Sequence, residues 1–199
     1  AVVAATWYDK QEALEAVNNA QDMGTDKWSK QVVKSAAARI QGKVEKKEEE
    51  NPMPPIPAHL SNAEKKSFAA GHEVYFRDAH CVTCHQKDGK GIDPAFPPLY
   101  DSIFVHGDPE RLIKITLHGL MGPFELKGNK YNGQVPMTPF GGMLDDREVA
   151  DVLTYVRNTY GNKASAIIPD QVAKVRGATK SVTGFYQMDT LLKEHPLEK

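Results

Sequence analysis

Residues 81–85 read Cys81-Val82-Thr83-Cys84-His85, and Cys81 and Cys84 are the only two cysteines in the chain. Two thiols three positions apart on a helical turn can each add to one vinyl group of a haem, and a histidine directly after them can then bind the iron. The pentapeptide therefore predicts one covalently attached haem, with Cys81 and Cys84 as attachment points and His85 as an iron ligand.

Other uses of a Cys-x-x-Cys pair fit this sequence less well. A structural zinc site needs four Cys or His ligands, typically from two such pairs, and the chain has no second pair. A thioredoxin-like redox pair should follow a strand of a βαβ unit, whereas residues 61–80 read as a helix. A plain disulfide would leave the histidine directly after Cys84 as a coincidence.

The composition excludes two broad function classes. The 199 residues carry a net charge of -1, and no basic stripe stands out, which argues against a nucleic-acid binder. No run of about 18 apolar residues is present, so we expect no membrane span. The first five residues lack a basic flank and a full apolar core, so they do not form an intact signal peptide.

The chain divides at a proline-rich stretch. Four prolines fall within residues 52–57, and such a density forces an extended backbone. We therefore predict an N-terminal helical segment at 1–50, a linker at 51–57, a haem domain at 58–161 and a C-terminal extension at 162–199. The N-terminal segment reads as a helical pair over 6–42, with an apolar stripe at Trp28, Val32, Ala36 and Ile40, followed by a charged run at 43–50.

Within the haem domain, helix starts carry capping signals. Ser61 is followed three residues later by Glu64, which is the pattern of a capping box. We expect helices to begin at Ser61, at Asp108 or Pro109, and at Asp145 or Asp146. Residues 122–142 are rich in glycine and proline and are predicted to be loop. The C-terminal extension shows little periodicity and is expected to drape over the core or to be partly disordered.

A haem iron bound by His85 needs a sixth ligand or keeps an open site, and methionine is one such ligand. Met137 lies in a loop between Pro136 and Pro139, which restrict its backbone, so we expect its thioether to bind the iron. Met121 and Met143 are the alternative candidates for this ligand. The remaining methionines lie outside the predicted haem domain: Met23 in the helical pair, Met53 in the linker and Met188 in the extension.

The segment from Ser61 to Gly161 resembles a class I (mitochondrial-type) cytochrome c domain, and especially the bacterial monohaem domains that accompany quinoprotein and other periplasmic dehydrogenases. The resemblance covers about half of the chain. The matching stretches are Gly71-x-x-x-Tyr75, Cys81-x-x-Cys84-His85, Pro97-Pro98-Leu99, Gly122-Pro123, Tyr131-Asn132-Gly133, Met137-x-Pro139-Phe140-Gly141, and Val152 to Asn158 with Tyr160-Gly161.

The resemblance implies an all-α fold around one covalent haem c and gives roles to single residues. Gly71 should let two helices cross closely near Tyr155. The Pro97 carbonyl should accept from the His85 ring, and Met137 should bind iron opposite His85. The chain departs from the family pattern at Thr138, which stands where a proline commonly follows the ligand. Further residues expected to bind the cofactor are Leu99, Tyr131, which would reach a propionate, and Phe140.

The resemblance also implies function. We expect one-electron transfer, not enzymatic catalysis, by a domain that serves a redox protein partner or a fused dehydrogenase domain. Thioether attachment implies maturation in the periplasm or another extracytoplasmic compartment. A different class of function, a haem-based sensor of small ligands or a peroxidase-like domain, would need an open sixth position at the iron.

Overall fold

The computed structural model describes residues 51–197, and the helical pair and charged run predicted within residues 1–50 lie outside these described residues. In this range no helix is both long and apolar enough to cross a membrane. The elements, in chain order, are α1 (Asn62–Tyr75), α2 (Cys81–His85), α3 (Ile103–His106), α4 (Pro109–His118), β1 (Leu120–Met121), β2 (Phe124–Leu126), β3 (Asn129–Tyr131), α5 (Asp146–Arg157), α6 (Pro169–Ala178), β4 (Tyr186–Gln187) and α7 (Met188–Glu194).

The three predicted helix starts are confirmed by their capping contacts. The Ser61 hydroxyl accepts from the backbone N–H of Glu64, while the Glu64 carboxylate accepts from the backbone N–H of Ser61, so α1 opens on a capping box. Asp145 caps α5 in the same reciprocal way. Asp108 caps α4, whose first residue is a proline with no N–H to satisfy.

Helices α1 and α5 cross at Gly71. A Cβ built on Gly71 would overlap the Asp151 carbonyl oxygen and would lie 2.8 Å from the Tyr155 Cβ. Only glycine therefore allows the two helix backbones to approach this closely. The crossing also brings the ring centroids of Phe68 and Tyr155 to 5.1 Å.

The buried apolar residues form two clusters. The larger cluster joins α1, α4, α5 and α6. The smaller cluster joins strands β2, β3 and β4 and helix α7. Met137 is partly buried and packs against both clusters. The region around Met137 is therefore where the two halves of the core meet.

The predicted loop at residues 122–142 contains a short antiparallel hairpin, which corrects that prediction. Phe124 pairs with Tyr131 across the hairpin, and the turn consists of Lys127 and Gly128 with φ of 52° and 78°. Two successive positive φ values fit a two-residue type I′ turn, whose twist matches that of the two strands it joins. Strands of three residues are too short to show a clear alternation of apolar and polar residues, so the sequence pattern did not predict them.

The C-terminal extension packs on the domain over the part that the structure describes. Helix α6 contacts α5 and α4, and β4 runs parallel to β1, with Tyr186 opposite Leu120. Val172, Met188 and Leu191 are each at most 2% exposed. The sequence left two alternatives for the extension, packing over the core or partial disorder. Over the described residues the structure shows packing over the core, because these apolar side chains belong to the two core clusters.

Candidate functional site

A cavity of about 280 Å³ opens between α2, the Met137 loop and the inner faces of α4 and α5. Most of its wall consists of apolar side chains, including Leu112, Ile115, Val152 and Leu153. The structure brings every sequence-predicted site residue to this wall: Cys81, Cys84, His85, Pro97, Leu99, Tyr131, Met137 and Phe140.

The two cysteines lie on one turn at the start of α2. Both are free, and burial raises the pKa of the Cys81 thiol to about 12 and also raises the pKa of Cys84. Both groups are therefore neutral thiols rather than the low-pKa thiolates of redox-active pairs. Within residues 51–197, no group of three or more His, Cys, Asp or Glu residues is arranged to hold a metal ion.

His85 ends α2 and is held in one orientation. Its Nδ1 lies 2.9 Å from the Pro97 carbonyl oxygen, so Nδ1–H donates and Nε2 keeps the lone pair that can bind a metal. Burial lowers the pKa of His85, against the opposing effect of the Pro97 bond. The imidazole is therefore neutral, as an iron ligand must be.

The loop that carries Pro97 is tied to His85 through a glycine. The Gly91 N–H donates to the His85 carbonyl at 3.1 Å, and Gly91 has a φ of 68°. A Cβ on Gly91 would overlap the Phe96 carbonyl and lie 2.7 Å from the Pro97 carbonyl oxygen. Glycine at this position therefore lets the Pro97 loop reach the histidine ring.

Met137 is fixed by its backbone. Its N–H donates to the Leu120 carbonyl at 2.9 Å, and its own carbonyl accepts from the Leu120 N–H at 3.3 Å. The two alternative methionines are placed differently: Met143 is 54% exposed, and neither it nor Met121 lines the cavity. Among the three methionines considered in the loop region, Met137 alone contributes to the wall.

Met188 also lines the cavity, and sequence reasoning missed it. The residue begins α7 in the C-terminal extension and is 2% exposed. The sequence could not predict that Met188 reaches the cavity, because its position depends on the pairing of β4, which directly precedes it, with β1. The signal that could have indicated burial is the apolar spacing of Met188, Leu191 and Leu192, which share one helix face.

The cavity wall offers little acid–base chemistry. No Asp, Glu, Lys or Arg belongs to the lining within the described part of the chain. Besides His85 and the two cysteines, the titratable lining residues are His80 and Tyr131. The His80 Nδ1 is bonded to the Asp78 carbonyl, and Tyr131 stacks on Phe124 with ring centroids 5.0 Å apart.

The residues present fit a covalently attached haem. Neutral thiols one turn apart supply attachment points, an imidazole nitrogen and a thioether sulfur supply ligands, and apolar walls enclose a flat macrocycle.

Comparison with known proteins agrees with this chemistry. The family model described as Cytochrome c matches residues 68–160. Cytochrome c-552 of Thermus thermophilus is 41% identical over 98 residues, which cover 47% of this chain and 70% of that protein.

More distant relatives belong to dehydrogenase complexes. The cytochrome c subunit of the quinone alcohol dehydrogenase of Gluconobacter oxydans (strain 621H) is 33% identical over 120 residues, 58% of this chain. The fructose dehydrogenase cytochrome subunit of Gluconobacter japonicus is 29% identical over 129 residues, 61% of this chain. The chain spans only 24% and 25% of these two subunits, respectively.

Proposed function

This chain belongs to the cytochrome c family, and from that premise we propose that it relays single electrons from a dehydrogenase to a further redox protein. The family carries covalent haem c and transfers electrons rather than catalysing a reaction on a substrate. The dehydrogenase partner is inferred from relatives whose names describe cytochrome subunits of such enzymes.

The observation that carries the proposal is the pairing of His85 and Met137 on the wall of one apolar cavity. When bound there, haem c supplies an iron that changes its oxidation state by one electron. His85, through Nε2, and Met137, through its thioether, would be the protein ligands that hold this group. With both ligands bound, the site would support electron exchange and leave no position for a substrate.

The surrounding residues would keep this coordination constant in both oxidation states. The Pro97 carbonyl restrains the His85 ring, and the Leu120 backbone restrains Met137 from both its N–H and its carbonyl. The apolar wall formed by residues such as Leu112 and Val152 excludes water. A dry, rigid site limits the rearrangement that accompanies electron transfer, and imidazole–thioether ligation raises the reduction potential.

The setting of the domain forms part of the proposal. Thioether attachment and the dehydrogenase-subunit relatives support a periplasmic or other extracytoplasmic location. We place the haem domain at residues 58–161, joined by the proline-rich linker 51–57 to the segment 1–50 and followed by the extension 162–199. This arrangement suits a domain tethered to, or docked on, a larger redox enzyme.

A sensor or peroxidase-like function is the alternative, and it would need an open iron. A peroxidase-like site also needs an acid or base beside the iron; the described lining contains no carboxylate, and apart from His85 and the two cysteines its titratable side chains are those of His80 and Tyr131. Two methionines, Met137 and Met188, line the cavity instead. The arrangement therefore favours a saturated iron.

Substitution of the candidate ligands tests the proposal. In the oxidised holoprotein, Met137→Ala should abolish the methionine–iron charge-transfer absorption and allow rapid cyanide binding. Met143→Ala, at a surface position, is the matched control and should leave both properties unchanged. Retention of the absorption in Met137→Ala would refute Met137 as the ligand, and its loss in Met188→Ala alone would assign that role to Met188. Fast cyanide and carbon monoxide binding by the unaltered protein would favour the sensor alternative.

A further inference from the structure

The C-terminal extension lies beyond the family match, which ends at residue 160, yet it contacts the loop that carries Met137. Arg176 on α6 donates through Nη1 to the Gly141 carbonyl and through Nη2 to the Leu144 carbonyl at 3.0 Å. Its Nε lies 2.6 Å from the Asp146 carboxylate at the start of α5. One guanidinium therefore bonds to both ends of the turn at residues 141–144.

This turn stabilises the chain directly after Met137. The Phe140 and Gly141 N–H groups donate at 2.9 Å to the carbonyls of Thr116 and Leu117 on α4. These bonds fix one side of the loop to the domain. Arg176 fixes the loop to the extension as well, because it donates to two loop carbonyls.

A second contact supports the backbone partner of Met137. Leu120 bonds to Met137 on one side and pairs in parallel register with Tyr186 of β4 on the other. The Phe185 ring lies against Gly119, 2.9 Å from the position that a Cβ would take. The extension thus pairs with β1, whose Leu120 bonds to Met137, while Arg176 bonds to the turn at residues 141–144 that follows Met137.

We propose that Arg176 is a positioning residue, through which the C-terminal extension holds the Met137 loop closed and keeps the thioether at the iron. The inference rests on the proposed function, because it requires Met137 to be the sixth ligand. Arg176 does not itself line the cavity; it contacts the cavity wall through the backbone carbonyl of Leu144. It acts by opposing the local opening of residues 137–144, which would carry the sulfur away from the iron.

The alternative is that Arg176 only stabilises the fold. Global destabilisation would lower the denaturant midpoint but would not change the site in protein that remains folded. Local opening of the loop, by contrast, would expose the sixth position in folded protein, and its free energy is separable from that of global unfolding. Binding of an exogenous ligand to the oxidised iron measures that opening directly.

The test compares three variants of the holoprotein under conditions where each is folded. Arg176→Ala should increase the cyanide association rate at least about tenfold and weaken the methionine–iron charge-transfer absorption; a factor of ten corresponds to about 1.4 kcal/mol of lost restraint. Arg176→Lys keeps the charge but lacks the planar fork, so its rate should be intermediate. Lys174→Ala removes an exposed cation from the same helix and should bind cyanide at the unaltered rate.

The outcomes separate the inference from the proposed function. If Met137→Ala removes the absorption but Arg176→Ala has the unaltered cyanide rate and spectrum, the positioning role is refuted while the ligand assignment stands. A lower denaturant midpoint with no change at the iron would likewise refute it. If Met137→Ala keeps the absorption, the assignment of Met137 as the ligand is refuted, and the positioning role of Arg176, which depends on it, is refuted as well. Should Arg176→Ala not fold, Arg176→Lys decides the question by the same two measurements.

Discussion

Replacing Gly71 with alanine tests the close crossing of α1 and α5. The new Cβ would lie 2.5 Å from the Asp151 carbonyl carbon and 2.8 Å from the Tyr155 Cβ, whereas ordinary contacts begin at 3.4 Å. The two helices would therefore have to separate by about 1 Å, and a gap of that size forfeits a quarter to a half of the dispersion energy of each facing contact. The obstructing atoms are mostly backbone, so a side-chain rotation cannot relieve the overlap.

We expect Gly71→Ala to lower the free energy of unfolding by about 2–2.5 kcal/mol. Overpacking of a core costs about 1–3 kcal/mol, and the rigid obstruction places this site at the upper end. The higher helix propensity of alanine returns about 0.5–1 kcal/mol of that loss. Such a change is a large fraction of the roughly 5–15 kcal/mol by which domains are stable.

Denaturant unfolding of the oxidised holoprotein, followed by far-ultraviolet circular dichroism, measures this change. Gly177→Ala on α6 is the matched control, because no atom lies within 4 Å of the position of its Cβ. It should leave stability unchanged or raise it by about 0.5 kcal/mol. A loss below about 1 kcal/mol in Gly71→Ala would show that the helices do not cross as closely as described.

Two further substitutions probe buried polar groups. Arg157→Met should destabilise the protein by about 3 kcal/mol, because the 2%-exposed guanidinium donates to the carbonyls of Val105, Gly107 and Ser165, which would lose their donors. Lys163→Met, at an exposed position, should cost less than about 0.5 kcal/mol, and equal losses in urea unfolding of the two variants would contradict the reasoning. Burial lowers the pKa of His72, against the opposing charge of Glu73, so the folded state binds fewer protons than the unfolded state and stability should fall as pH drops below about 6.5. Unfolding midpoints between pH 7.5 and 5 should therefore decline less in His72→Phe, and identical slopes would exclude His72 as a contributor.

Local signals predicted the helix starts correctly. The capping pairs of α1 and α5 join residues three positions apart, so their contacts are determined by neighbouring sequence. The hairpin at residues 124–131 was missed because its strands are only three residues long. Its register depends on the cluster that contains Tyr131, Tyr186 and Leu191, which are distant in sequence.

The same distinction applies to the site. All eight sequence-predicted cofactor residues line one cavity. Cys81, Cys84 and His85 follow from the pentapeptide itself, whereas Pro97, Leu99, Tyr131 and Phe140 were implied by the resemblance to the family. Met188 and Arg176 were not foreseen, because nothing near them in the sequence indicates what they contact. Arg176 reaches carbonyls 32 and 35 residues away, and such contacts are determined by how α6 packs.

By itself, the sequence determined the covalent chemistry. Two thiols and an imidazole within five residues define a haem attachment site wherever that turn lies, because a helical turn sets their spacing. Only the tertiary structure decided which methionines line the same cavity as His85 and which groups restrain the Met137 loop. Those choices depend on packing between elements distant in the chain, where small differences among many weak contacts select one arrangement.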